Sequence, residues 1–274
     1  ERVPASERTL IQIWDKPTAG SSFATREIVV EATSTNSTST PVRLPKPIKK
    51  TVEYVLFVDR ITGHLYGYNK DSVSPFQITN TTFPGIYDAY IIQNGSRVFM
   101  RYMDNSNGVI RTVSAAIPAF VEGSDPRPLT DIKYLQNDVS SFSVSESGTS
   151  YSYLVANNFG SSIYTVNSKG ETSSVTSPLR EWALVYGGET PYMTNKPSAY
   201  LEGSTFSLPN KTYIIGGKTG LMSLPNKSGD KTLASMWSAS GLATFVTPKS
   251  TGVPLVLETR TLPSKCTWMD NVRV

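Results

Sequence analysis

The chain has 274 residues, a formal net charge of +4, one cysteine (Cys266) and one histidine (His64). That length holds one large core or two modest ones. A lone cysteine excludes an internal disulfide, and one histidine beside it leaves too few ligands for a Cys/His zinc site. Charged residues make up 18%, below the roughly 25% of an average domain. With abundant Ser, Thr, Asn, Gly and Pro, this is the profile of an extracytoplasmic β-protein and not of a disordered tail.

The chain opens at Glu1 without Met, which reads as a processed or trimmed product whose signal or anchor is absent. Residues 8–14 (RTLIQIW) and 23–30 read as strands. Residues 31–50 are Ser/Thr-rich, then Pro/Lys-rich, with no apolar period. That composition predicts an exposed loop or insertion. Its basic cluster, Lys46, Lys49 and Lys50, reads as solvated linker in preference to a phosphate or membrane contact.

Strand character resumes at 51–60 and turns through Ile61-Thr62-Gly63 into HLYGYNK. Residues 75–80 form a short edge-like run. The runs 89–92 and 96–103 flank Gln93-Asn94-Gly95, and Asn-Gly between apolar runs is the strongest short hairpin signal in the chain. Asp104-Asn105-Ser106-Asn107-Gly108 turns again into VIRTVSA, and 120–130, with Pro126 and Pro128, is a connection.

Residues 137–170 read as three short strands, 139–144, 151–156 and 162–166, separated by polar Gly-containing turns. This is an antiparallel meander, the unit of a propeller blade. EWALVYGG, TPYMTN, STFSLPN, KTYIIGG and later runs keep the same rhythm to VPLVLETRTL and CTWMDNVRV. Val272-Arg273-Val274 resembles a strand cut in its middle, which predicts closure with an N-terminal strand or a longer native chain. No segment holds a 3.6 period for three turns. A Ser-rich Gly turn followed by an apolar strand at 143–154 recurs at 223–234, and a period near about forty residues per four strands is propeller-like. No run approaches the roughly 20 apolar residues of a membrane span.

Several segments resemble one family. DRITGHLYGYN, ITNTTFPGIYDAY, SRVFMRYMD, SPLREWALVYGG, TNKPSAYLEG, GGKTGLMSLPNKSGDKTLAS and LPSKCTW are similar, in the same order, to an uncharacterised WD40-like/TolB-like β-propeller family of candidate-phylum (Parcubacteria-like) bacteria. The resemblance covers nearly all of the chain outside 34–50. It implies an exported propeller tethered behind an N-terminal anchor, with a second cysteine following the Lys-Cys-x-Trp motif in relatives. It brings no assigned activity, so it marks no catalytic residue.

Candidate chemistry is sparse. Asp104, Asn105 and Asn107 alternate oxygen ligands before a Gly like half an EF-hand loop, but the downstream bidentate Glu is missing, and a hairpin turn demands the same residues. Asp59, Asp88, Glu181 and Asp270 sit at strand ends, where a propeller mouth could gather two carboxylates for glycosidase chemistry. His64 follows a turn, and no nucleophile elbow accompanies it. Gly216-Gly217-Lys218-Thr219-Gly220 lacks the first Gly and the helix of a phosphate loop. Tyr151, Tyr153, Trp182, Tyr186 and Trp237 are the candidate ligand-binding aromatics, with wedge-filling between blades as the plainer role. Asn-x-Ser/Thr sequons fall at Asn36, Asn80, Asn94, Asn210 and Asn226.

The expected fold is all-β: one propeller domain over 1–274 with an exposed loop near 31–50. It is built of about six or seven four-stranded antiparallel blades, the last incomplete or strand-closed. The expected role is a non-catalytic scaffold on a bacterial cell envelope or surface, binding a protein or glycan and taking no cofactor. Neither nucleic-acid binding nor membrane insertion by this segment is expected. Two rivals stand beside it: a glycan-acting hydrolase or lyase with carboxylates at the channel, and a structural subunit of a surface array or filament.

Overall fold

The computed structural model describes residues 11–30, 48–198, 200–208 and 210–274, with backbone alone at 28–30, 48 and 49. The chain forms two compact units, Glu1–Met103 with Val113–Tyr134, and Asp104–Thr112 with Leu135–Val274.

The described residues build five four-stranded antiparallel sheets, each a meander in chain order. The first holds β1 (Thr18–Val30), β2 (Ile48–Asp59), β3 (Leu65–Tyr68) and β4 (Phe76–Gln77). The second holds β5 (Ile86–Ile92), β6 (Arg97–Asp104), β7 (Val109–Ala116) and β8 (Thr130–Tyr134). In the second unit, β9 (Val139–Val144), β10 (Tyr151–Asn157), β11 (Gly160–Val166) and β12 (Thr172–Ser177) form one sheet. The next contains β13 (Trp182–Gly187), β14 (Thr190–Asn195), β15 (Glu202–Ser207) and β16 (Thr212–Thr219). The last contains β17 (Met222–Pro225), β18 (Lys231–Ser238), β19 (Gly241–Pro248) and β20 (Leu255–Val256), followed by a 3₁₀ turn at Pro263–Lys265.

The all-β expectation therefore holds, with five sheets among the described residues beside the six or seven expected. The spaced repeat has a structural meaning. Residues 143–154 and 223–234 are the β9–β10 and β17–β18 hairpins, each opening its sheet, and Asn94 turns the corresponding β5–β6 hairpin.

Alternation supplies the cores. In the first unit Leu56, Val58, Leu65, Ile86, Met100 and Val113 are fully buried in one cluster. In the second, Leu154 and Ile163 pack with Trp182, Leu184 and Met193, while Leu221, Ala234 and Phe245 form a further cluster with Ile215.

Three expectations need correction. Of the strand expected at 8–14, residues 8–10 lie outside the described residues, and 11–14 are not extended into a sheet. Trp14 instead lays its ring on Tyr66 and Phe57, with centroids 4.5 and 5.1 Å away. Residues 272–274 form no strand, because the Asp270 carboxylate accepts the N–H groups of Val272 and Arg273 (2.7 Å each) and curls the chain. Neither terminal sheet borrows a strand from the other end: among the described residues the first is β1–β4 and the last β17–β20. The loop expected near 31–50 lies outside the described residues over 31–47, and 48–50 belong to β2.

Candidate functional site

The carboxylates picked out at strand ends are mostly occupied by local structure. Asp59 Oδ1 accepts Ile61 N (3.0 Å), Thr62 N (2.8 Å) and Thr62 Oγ1 (2.8 Å), so it shapes its own turn. Asp88 pairs with the buried Arg101 at 2.8 Å. Asp270 serves the terminal curl, where backbone N–H groups and the Arg273 guanidinium hold its carboxyl down to about 2. Both ring nitrogens of His64 are engaged, Nε2 with Thr82 Oγ1 and Nδ1 with Gln77 Nε2, at 3.1 Å each.

Asp104 is a turn residue: its carboxylate accepts Ser106 N (3.1 Å) and Ser106 Oγ (2.6 Å), and these bonds lower its pKa. Asn107 Oδ1 accepts Val109 N at 3.1 Å, and Asn105 lies between them. Among the described residues no group of three or more His, Cys, Asp or Glu gathers as metal ligands. Lys218, in the Gly-rich run, rests over the Phe245 ring at 5.8 Å.

Glu181 is the exception, and it leads to a cleft of roughly 850 Å³ in the second unit. One wall is the loop from β12 to β13. Ser177 Oγ accepts both Leu179 N (3.2 Å) and Trp182 Nε1 (2.9 Å), and Ser161 Oγ donates to Leu179 O at 2.7 Å. Gly160 admits this close approach, since a Cβ there would lie 2.0 Å from Ser177 O. The pinned loop projects Leu179, Arg180 and Glu181 into solvent.

The facing wall is the loop from β14 to β15. Asn195 Oδ1 accepts Ser204 N at 2.8 Å, and Ser198 Oγ accepts Tyr200 N and Leu201 N at 3.2 Å each. That geometry turns Tyr200 and Leu201 outward, 92% and 70% exposed. Lys196 N donates to Glu181 O at 3.4 Å and ties the walls together. Lys211, at positive φ, closes a third side by donating to Thr176 O at 2.6 Å.

The floor is apolar. Trp182 is 3% exposed and meets Phe206 edge-on at 6.0 Å, with Met193 buried beside them. Since Ser177 consumes the indole N–H, the floor offers an apolar surface without a free N–H or O–H donor. Around the rim, Arg180, Glu181, Lys196 and Glu202 are exposed, and none makes a side-chain hydrogen bond or ion pair among the described residues. A comparable cleft of about 660 Å³ in the first unit is different, because Lys50 there pairs with Asp71 (3.7 Å) and Asn69 with Glu122 (2.8 Å).

Of the five aromatics expected to bind ligand, only Trp182 lines this cleft. Tyr151 and Tyr153 share one face of β10 in a row with Phe142 and Tyr164, ring centroids 5.0–6.5 Å apart. Tyr153 is buried there, which raises its pKa. The Tyr186 hydroxyl bonds Ser152 Oγ at 2.9 Å, and burial pushes it up to about 12. Trp237, half-exposed, lies against Gly220, where a Cβ would come within 2.3 Å of the ring at φ +64. Leu221, the next residue, packs on Gly203, but Trp237 itself is not among the residues that line the cleft.

Sequence reasoning missed Leu179, Lys196, Leu201 and Glu202. The signal was present in SPLRE and KPSAYLE, two Pro-containing loops that each set a leucine within two residues of a glutamate. An apolar residue in a polar loop has no core to serve.

No family model matches the chain, and no curated protein does. Solved structures do. A quinonprotein alcohol dehydrogenase-like protein from Bacteroides thetaiotaomicron superposes with a TM-score of 0.51 at 13% identity, over 73% of this chain and 51% of that one. This chain thus spans about half of that protein's length. The β-propeller domain of the trilobed protease from Pyrococcus furiosus gives a TM-score of 0.50 at 6% identity, over 76% and 67%. A protein described as a putative TolB from Agrobacterium tumefaciens gives 0.46 at 15% identity, over 74% and 76%. The first two likenesses, with five sequential four-stranded meanders, establish the architecture: the chain has a β-propeller fold.

Proposed function

We propose that the chain is a non-catalytic scaffold of a bacterial cell envelope or surface that binds a protein or glycan, with residues 1–274 as one propeller domain. Its binding site in this reading is the cleft between the 177–182 and 195–204 loops. One observation carries the reading: exposed leucines and unpaired charges of both signs surround a buried aromatic floor. Exposed apolar groups of this size, held in place by hydrogen-bonded loops, mark interaction sites. No helix among the described residues is long and apolar enough to cross a membrane.

The test is a parallel screen of the full chain against a glycan array and a displayed peptide library, repeated with Leu201→Glu. Leu201 is exposed, so this variant retains the fold. At least one ligand class should bind the parent and weaken about tenfold or more in the variant, the effect of losing an interface anchor. Identical binding by both proteins would remove the cleft from consideration.

A further inference from the structure

Resting on that reading, we infer that the cleft's ligand is an extended polypeptide segment with an aliphatic or aromatic anchor flanked by side chains of opposite charge. Three observations exclude the other envelope polymers in turn.

The first is the floor. Trp182 is almost wholly buried and its N–H is taken by Ser177, so it presents neither an open ring face for a sugar to stack on nor a donor for a sugar hydroxyl. What remains, with Met193 and Phe206, is an apolar surface that matches a hydrophobic side chain.

The second is the pairing of charges. Arg180 stands next to Glu181 in the chain, and Lys196 and Glu202 line the same cleft with Leu201, one charge of each sign on either loop. An anionic polysaccharide or nucleic acid would meet Glu181 and Glu202, and like-charge contact opposes such partners. A neutral glycan would leave four charges partly desolvated and uncompensated. A peptide carrying both an acid and a base answers each sign.

The third is the rim. Leu179 and Leu201 are exposed residues of the cleft lining that carry its apolar surface outward, and the arginine beside Leu179 is of a type that protein interfaces concentrate. The volume, roughly 850 Å³, suits a short segment.

The experiment pans a phage library of randomised heptapeptides on the full chain and measures the affinity of the enriched peptides by fluorescence polarisation. A glycan array is probed with the same protein. Enriched peptides should share a large apolar residue with an acid and a base within three positions. Arg180→Glu should weaken them about tenfold or more, as should added salt. Replacing the peptide's acid by lysine should then restore binding to the Arg180→Glu protein, a compensation that a folding defect would not produce.

Enriched peptides without charge, or unchanged affinity in both Arg180→Glu and Glu202→Lys, would overturn the proposal. A glycan lost with Leu201→Glu and no peptide hit would keep the cleft as a site while sinking the peptide. No binder of either class sensitive to Leu201→Glu would sink both.

Discussion

At the scale of single residues, the chain spends its polar side chains on its own backbone. Asn226 is the clearest case. It is fully buried, its carbonyl accepts Lys231 N (3.1 Å), and its amide donates to Asp230 Oδ1 (2.6 Å) and Asn271 O (3.1 Å). Asn226→Ala should therefore cost about 2–4 kcal/mol, the sum of lost buried bonds and partners left unpaired, read as a fall in the urea midpoint. The same burial removes this sequon from any glycosylation machinery acting on the folded protein. Sequence alone identified Asn226 as a sequon and as a turn residue. Its burial was not legible, because it depends on the Asn271 carbonyl arriving from a segment remote in sequence. Trp182 shows the converse: the sequence marked it as a ligand-binding aromatic, and the structure makes it the floor under residues that the sequence passed over.

At the scale of elements, hairpin signals were the most readable feature. The boundaries of β9 and the Asn94 turn follow from alternation and positive-φ residues alone. The fourth strands β8 and β12 were missed for a physical reason. They are exposed outer strands, TDIKY and TSSVTS, too short and too poor in apolar residues to announce a buried face. Turns also do more than reverse the chain. Asn94, at φ +52, accepts Thr25 N and donates to Thr25 O at 2.7 Å each, so its amide imitates a strand neighbour on the free edge of β1. Asn94→Ala loses both bonds and places a Cβ-bearing residue without local compensation at positive φ. A loss of about 1–3 kcal/mol is expected, and hydrogen exchange should quicken in β1 before it does in β3.

At the scale of the whole molecule, tyrosine burial sets the alkaline limit. Burial raises the phenols of Tyr54, Tyr66, Tyr87, Tyr90, Tyr153, Tyr186 and Tyr192, with Tyr186 reaching about 12. In the unfolded chain these groups lose their protons near about pH 10. Between that pH and the folded value the unfolded state holds fewer protons, so stability, full below pH ~10, must fall as pH rises, by at most about 1.4 kcal/mol per pH unit for each group. Chemical denaturation from pH 8 to 11.5 should show this decline, and Tyr186→Phe should make it shallower. A profile flat to pH 11.5 would contradict the burial of these rings.

Each sheet is made of consecutive residues, with no strand supplied from elsewhere in the described chain. During synthesis, which runs at about 5–20 residues per second, the hairpins of one sheet can register before the next has been translated. Nothing in the first meander waits for the last residues to emerge. Assembly can thus proceed vectorially, and a ribosome stalled after Ser177 would already have synthesised every strand that the third sheet requires.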